Sequence, residues 1–329
     1  MVRWTWIRLV AILLGAISVS ASQAPAPQGP ASQTPAPHRP ARLSVVVLGS
    51  GGPGATGRAS TCFLVEVDGT PRILVDAGPG SFARLGETGL SLARTDVVLL
   101  THLHADHAGE LPGLFKARAV EVRAPITFHV FGPDGHKGQG GDASFPSTRR
   151  FIDLLFGPEG AFAYLPDFAG QMSFDTKNLP IDPKAVRHPA VIYREGGPAG
   201  ELTIRAIAGH HRDAPAEIYR IDYGGRSVVF TGDIDAQGHD NLKTIASGAS
   251  LLVFDTVVLD PPRSPSILYT LHTAPGDIGR IAKASGVHAL LLAHLSPTID
   301  ANRAAVEASI RASFAGPVRF AEDKARVEP

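Results

Sequence analysis

THLHADHAG, residues 101–109, sets His102, His104, Asp106 and His107 within six positions, directly after the apolar run DVVLL (96–100). A short aliphatic run of this kind reads as a strand, and the loop beyond it hangs side chains on a rigid frame. There His102 and His104, two residues apart, can point one way while Asp106 and His107 turn toward a neighbouring point. Three imidazoles and a carboxylate crowded together would repel one another or stay unsatisfied without a cation between them. Nitrogen and oxygen donors suit zinc, and also iron or manganese.

Outward from this loop, other apolar runs stop in the same way. LTIRAIAG ends at His210-His211, SVVFTG at Asp233, ALLLA at His294 and ILV at Asp76. One such ending means little, because His and Asp often begin turns; five in one chain are hard to reach by chance. Four ligands saturate one ion, yet His211, Asp233 and His294 remain. Seven ligands divide naturally between two ions, with one carboxylate bridging. Helix-compatible stretches separate the strands, among them 81–93, 241–250, 275–286 and 300–314. That interleaving predicts a layered α/β protein with helices on the outer faces.

The chain carries, in order, LGSGGPG (48–54), ILVDAGPG (73–80), THLHADHAGELPGLF (101–115), HHRDAPAEIYRI (210–221), FTGD (230–233), LHTAP (271–275) and LLAHLSP (291–297). The set resembles the metallo-β-lactamase superfamily over about residues 43–297, in the branch containing ribonuclease Z, phosphodiesterases and arylsulfatases. The resemblance implies a four-layer αββα sandwich, two mixed sheets flanked by helices, with residues 42–329 as the catalytic domain. It also implies that His102, His104 and His211 hold one ion, that Asp106, His107 and His294 hold a second, and that Asp233 bridges them. Two divalent ions are expected, zinc first, with manganese or iron as alternatives. His211 is preferred over His210, because the branch pattern sets its ligand four residues before Pro215. Asp76 would orient the 102–107 loop. Asp106 would orient a hydroxide shared by the two ions and accept its proton, and His272 would protonate the leaving group. The expected reaction is hydrolysis of a phosphodiester or sulfate ester; Asp233 favours the phosphodiesterase-like branch. The alternatives are lactone or β-lactam hydrolysis, or a persulfide dioxygenase with a single iron.

Composition narrows the setting. The 31 basic and 31 acidic residues cancel, leaving no global field to draw in nucleic acid or anionic lipid. Residues 1–22 join Arg3 and Arg8 to an eleven-residue apolar run, Leu9 to Val19, and end in small residues. They read as a secretory signal, too short for a stable membrane anchor. Residues 23–41 are proline-rich and read as a solvated linker. A periplasmic or secreted location follows. Export, neutral charge and the lack of a lysine-rich arm together predict a small-molecule ester substrate and no nucleic acid; a homodimer is compatible with the chain. Cys62 is the single cysteine, which excludes disulfide frameworks and cysteine-based zinc sites. Gly49-x-Gly51-x-x-Gly54 matches a dinucleotide fingerprint only formally, since it leads into another strand and not a helix. Residues 132–182 read equally as a cover over the site or as a surface insertion. His129 and His136 are expected in ordinary roles, His188 in the same role or lining the cleft, and His239 and His288 on the surface.

Overall fold

Alternation along the strands decides the layers. In the first strand, β1 (Leu43–Gly49), Val45 and Val47 face one way and Val46 and Leu48 the other, and all four are buried. Successive side chains of a strand point to opposite faces, so β1 is covered on both sides. The computed structural model describes residues 42–54, 56–138, 143–168, 171–197, 200–212 and 214–329. The expected secretory signal at 1–22 and the expected linker at 23–41 lie outside the described residues.

The first sheet contains β1, β2 (Cys62–Val67), β3 (Thr70–Val75), β4 (Val97–Leu99), β5 (Ile126–Pro133) and β6 (Met172–Leu179), with the C-terminal β14 (Arg326–Val327) beside β1. The second runs from β7 (Ala190–Gly197) through β8 (Gly200–Ala208), β9 (Glu217–Tyr223), β10 (Arg226–Phe230), β11 (Leu251–Asp255) and β12 (Ala289–Ala293) to β13 (Val318–Phe320). Both sheets are mixed and share one plan. From β14 to β3, and from β7 to β10, neighbours are antiparallel. From β3 to β6, and from β10 to β13, they are parallel. Because β8 and β10 are each antiparallel to β9, β8 ends at the same edge as the parallel strands.

Apolar side chains from the two inner faces form the central core, where the rings of Phe63 and Phe230 lie 5.2 Å apart from opposite sheets. Truncating a fully buried Phe of this kind to Ala typically costs about 3–5 kcal/mol. On the outer face of the first sheet, Val46, Leu74 and Leu100 pack on α1 (Ser81–Thr88), α3 (Leu111–Glu121) and α4 (Thr148–Phe156), while the short α2 (Ala105–Ala108) caps the loop after β4. Across the molecule, Val229, Leu252 and Leu292 pack on α5 (His239–Ile245), α6 (Pro275–Ser285) and α8 (Arg303–Arg311), with α7 (Pro297–Asp300) before α8. The layers therefore run α/β/β/α. Local chemistry agrees with the helix ends: Ser147 Oγ accepts from Arg150 N–H at the start of α4, and α6 has a proline in its first turn and a left-handed Gly286 after its last.

Much of the 132–182 segment is structural. Ile152, Phe156, Leu165 and Met172 belong to the outer core, and β6 extends the first sheet. The strand-like pair His136 and Phe145 reaches toward the site, with the Phe145 ring 5.6 Å from the His104 ring. Among the described residues no helix is long and apolar enough to cross a membrane.

Candidate metal centre

The loop after β4 is fastened by one carboxylate. Asp76, just past β3, accepts from Thr101 N–H at 2.7 Å and Thr101 Oγ1–H at 2.7 Å, and takes His107 Nδ1 at 2.8 Å. Its backbone is in the left-handed region (φ 56°), a conformation that non-glycine residues adopt mostly at constrained sites. With Nδ1 engaged, His107 turns Nε2 inward, and that atom is buried without a hydrogen-bond partner. His102 Nδ1 sits 3.2 Å from Thr101 Oγ1, so its Nε2 also faces the cluster. His104, capping α2, brings Nδ1 to 3.1 Å from His102 Nε2.

The second sheet supplies its groups from separate loops. His211 donates through Nδ1 to the Leu271 carbonyl at 2.8 Å, which leaves Nε2 for the cluster. Asp233 follows Gly232 (φ 55°), where a Cβ would meet Thr101 Cβ at 2.5 Å; glycine lets the two loops touch. His294, after β12, is pressed by the 49–54 loop so closely that a Cβ on Gly52 would lie 2.5 Å from its ring.

These placements converge. Asp233 Oδ2 lies 3.9 Å from His102 Nε2, 3.8 Å from His107 Nε2, 3.6 Å from His211 Nε2 and 3.5 Å from His294 Nε2. Asp106 Oδ2 is 3.1 Å from His294 Nε2 and 3.7 Å from His107 Nε2. Most of these separations are too long for hydrogen bonds. They suit donors around a cation, since tetrahedral ligands about 2.0–2.1 Å from zinc stand roughly 3.3 Å from one another. Potential ligand atoms lie within 4.8 Å of one another in four groups: His102, His104 and His211; His102, His107 and Asp233; Asp106, His107 and His294; and His211, Asp233 and His272. Buried Asp233 Oδ1 and His294 Nδ1 are also without hydrogen-bond partners among the described residues. The donor set therefore fits divalent metal.

Electrostatics without an ion show the same crowding. Burial pushes His211 down to about 4, and burial with the neighbouring imidazoles holds His102 well below the usual histidine range. His107 and His294 go the other way, to about 9 and about 10. Burial opposes their charge, but Asp76 and Asp233 outweigh it for His107, and Asp233 and Asp106 for His294. Burial likewise works against the Asp233 charge, yet His294 and His272 hold its carboxyl well below the carboxylate range.

All seven residues expected as ligands thus meet in one place. His272, expected as a proton donor, also enters: its Nδ1 is 3.5 Å from Asp233 Oδ1, buried and without a hydrogen-bond partner. His210 points elsewhere, pairing with Asp235 at 2.7 Å. Four buried acids were not anticipated: Glu66, Glu217, Asp235 and Asp255. Asp255 ends β11, where burial raises its carboxyl to about 7, and Glu217 opens β9. Asp255 carries the strand-end signal that marked the other residues. His239 is half-buried and bonds Thr273 Oγ1 at 2.9 Å, whereas His188 and His288 are exposed. Cys62 is buried within β2.

Ligands gathered at one edge of an αββα sandwich define a metal-dependent hydrolase. The family model described as the metallo-beta-lactamase superfamily matches residues 55–242, and this chain belongs to that superfamily. Ribonuclease Z of Mycobacterium avium (strain 104) is 29% identical over 297 residues, covering 87% of this chain and 98% of that protein. The metallo-beta-lactamase fold protein YhfI from Bacillus subtilis superposes with a TM-score of 0.61 at 24% identity, over 88% of this chain and 100% of that one. The short form of human tRNase Z gives 0.63 at 18% identity, over 86% and 98%. At these identities the two structures bear on the fold.

The relatives correct one expectation. Proteins similar to this chain along nearly their whole length are named for RNA, so the expectation of a small-molecule ester and no nucleic acid is overturned. It rested on the expected export, the lack of a lysine-rich arm and a net charge of zero. Charge balance over a whole chain says nothing about where the donors stand, and a phosphate backbone is recognised locally.

Proposed function

We propose that this chain hydrolyses phosphodiester bonds of RNA with two divalent cations, zinc first among them. His102, His104 and His211 would hold one, Asp106, His107 and His294 the other, and Asp233 would touch both. The observation that carries this reading is the position of Asp233 Oδ2, 3.5–3.9 Å from imidazole nitrogens of both sets. Bound cations supply an acidified water nucleophile and neutralise charge on the phosphoryl oxygens.

The protein's own groups do the rest. Asp76 and the Leu271 carbonyl fix which nitrogen His107 and His211 present. Asp106, 15% exposed at its side chain, stands on the open side and holds the proton released as the nucleophile forms. His272 faces Asp233 Oδ1 and delivers a proton to the departing oxygen. The leader-like residues 1–22 support the further proposal that the enzyme acts outside the cytoplasm.

The test is to load purified protein with zinc, count the metal, and offer in parallel a short single-stranded RNA, bis-(p-nitrophenyl) phosphate and p-nitrophenyl sulfate. Two zinc ions per chain and cleavage of the RNA are expected. Hydrolysis of the sulfate alone, or one ion per fully active chain, would overturn the reading.

A further inference from the structure

Beside the metal centre lies a groove rich in hydrogen-bond donors that the chemistry above does not use. It has two lobes of about 380 and 570 Å³ that share His136, His210, Arg212 and Gln237; Lys184 borders the first and Tyr269 the second. Two walls of the groove run directly into residues of the metal centre. His210 immediately precedes His211, and Tyr269 leads into Leu271 and His272. On the facing side, the His136–Phe145 pair places the Phe145 ring 5.6 Å from the His104 ring.

One buried carboxylate organises the donors. Asp235 Oδ2 takes His210 Nδ1 at 2.7 Å and Arg212 N–H at 3.0 Å, while Oδ1 takes Gln237 N–H at 2.8 Å. It therefore fixes the His210 ring, whose Nε2 has no partner among the described residues, and pins Arg212 in a left-handed conformation (φ 54°) with its side chain exposed. Asp182, the other acid on the groove, caps the Lys184 backbone N–H at 2.8 Å. Asp235 is engaged through both oxygens and Asp182 through one, whereas the Lys184 ammonium, the Arg212 guanidinium and the Gln237 amide have no hydrogen-bond or ion-pair partner among the described residues. A ligand matching this wall brings oxygens and negative charge. Arginine and lysine together are the usual grip on phosphate.

We propose that this groove binds a phosphate of the substrate other than the one cleaved, so that the substrate is an oligonucleotide strand. Asp235 is the positioning residue for that subsite. The proposal rests on the phosphodiesterase reading and extends it from bond type to substrate length.

The test compares a dinucleoside monophosphate, which has one phosphate, with an octaribonucleotide, using the zinc-loaded full chain. For the Lys184→Ala/Arg212→Ala double variant, KM for the octamer should rise about tenfold or more with kcat retained, and kinetics on the dinucleoside should not change. Two lost phosphate contacts should also flatten the salt dependence of octamer kcat/KM, by roughly 0.7 in log–log slope for each contact on a single strand. Lys184→Glu/Arg212→Glu should enlarge the KM effect. Asp235→Asn should reproduce part of it on the octamer alone. Equal losses on both substrates, or none on the octamer, overturn the subsite while leaving the hydrolase reading intact. If the wild-type chain cleaves neither phosphodiester, the parent reading fails and the subsite falls with it.

Discussion

The two sheets share a hydrogen-bonding plan but deliver their metal-facing groups differently. The first packs His102, His104, Asp106 and His107 into one loop after β4, fastened by Asp76. The second spreads His211, Asp233 and His294 over three loops, each held by something different: a backbone carbonyl for His211, a glycine-permitted approach to Thr101 for Asp233, and close packing by Gly52 for His294. A dense motif needs only a local turn. The dispersed set depends on sheet register, which aligns Phe230 with Val253 and Asp255 with Ala293 so that the strand ends share an edge. The first half thus brings a preassembled cluster, and the second completes it through tertiary structure.

The sharpest way to break this comparison is Asp233→Ala. Although it removes one group from the dispersed half, it takes away the oxygen that faces both ligand sets. Bound metal should fall well below two ions per chain, and activity by about 10⁴-fold or more. Metal counting by mass spectrometry decides it; full occupancy in the variant would mean that the halves bind independently. Next in size is His272→Ala, which should keep both ions yet lower kcat by about 10²–10⁴-fold, the usual worth of a positioned proton donor. Normal turnover would remove His272 from the reaction, whereas metal loss would make it a ligand. Smaller still is the contrast between anchors. Asp76→Asn disturbs a carboxylate bonded to both Thr101 and His107, so zinc affinity should drop about 10–100-fold. Asp255→Asn alters a buried acid with one unpartnered oxygen and should cost less, read by competition with a chromogenic chelator. A larger effect at Asp255 would show that the second half is organised by a single carboxylate as well.

The same contrast explains what the sequence made legible. The 101–107 cluster could be read because its spacing is local, and the scattered ligands because each stands where an apolar run stops. By that rule Asp255, at the end of LLVFD, was equally visible and went uncounted. The layers followed from alternation and interleaving, since burying both faces of a sheet requires helices outside. The groove could not be read. His136, Lys184 and Arg212 are far apart in the chain and follow no period. Their grouping arises only in the folded chain, where the three line one cavity, and a balanced total charge concealed it. Glu217 was hidden for a different reason: an acid at the start of a strand normally faces water, and only the packing of the second sheet against the first buries it.

That seam provides the most delicate test. Glu217 joins the halves through its backbone N–H, which donates to the Thr101 carbonyl at 2.8 Å, yet its side chain is 1% exposed and Oε1 has no partner. Burial pushes its carboxyl well above the ordinary range, so the folded protein keeps a proton there that the unfolded chain gives up near pH ~4.3. Above that value the unfolded state binds fewer protons than the folded state, and this residue makes stability fall as pH rises until the folded carboxyl itself ionises. Glu217→Gln retains the shape and removes the titration. Its melting temperature should therefore gain on the wild type as pH goes from 5 to 8, with zinc occupancy unchanged. A gap of the same size at both pH values would mean that Glu217 is already charged and paired in the folded state. The two halves would then be joined through an ionised acid, and the seam would depend on charge where burial favours the neutral carboxyl.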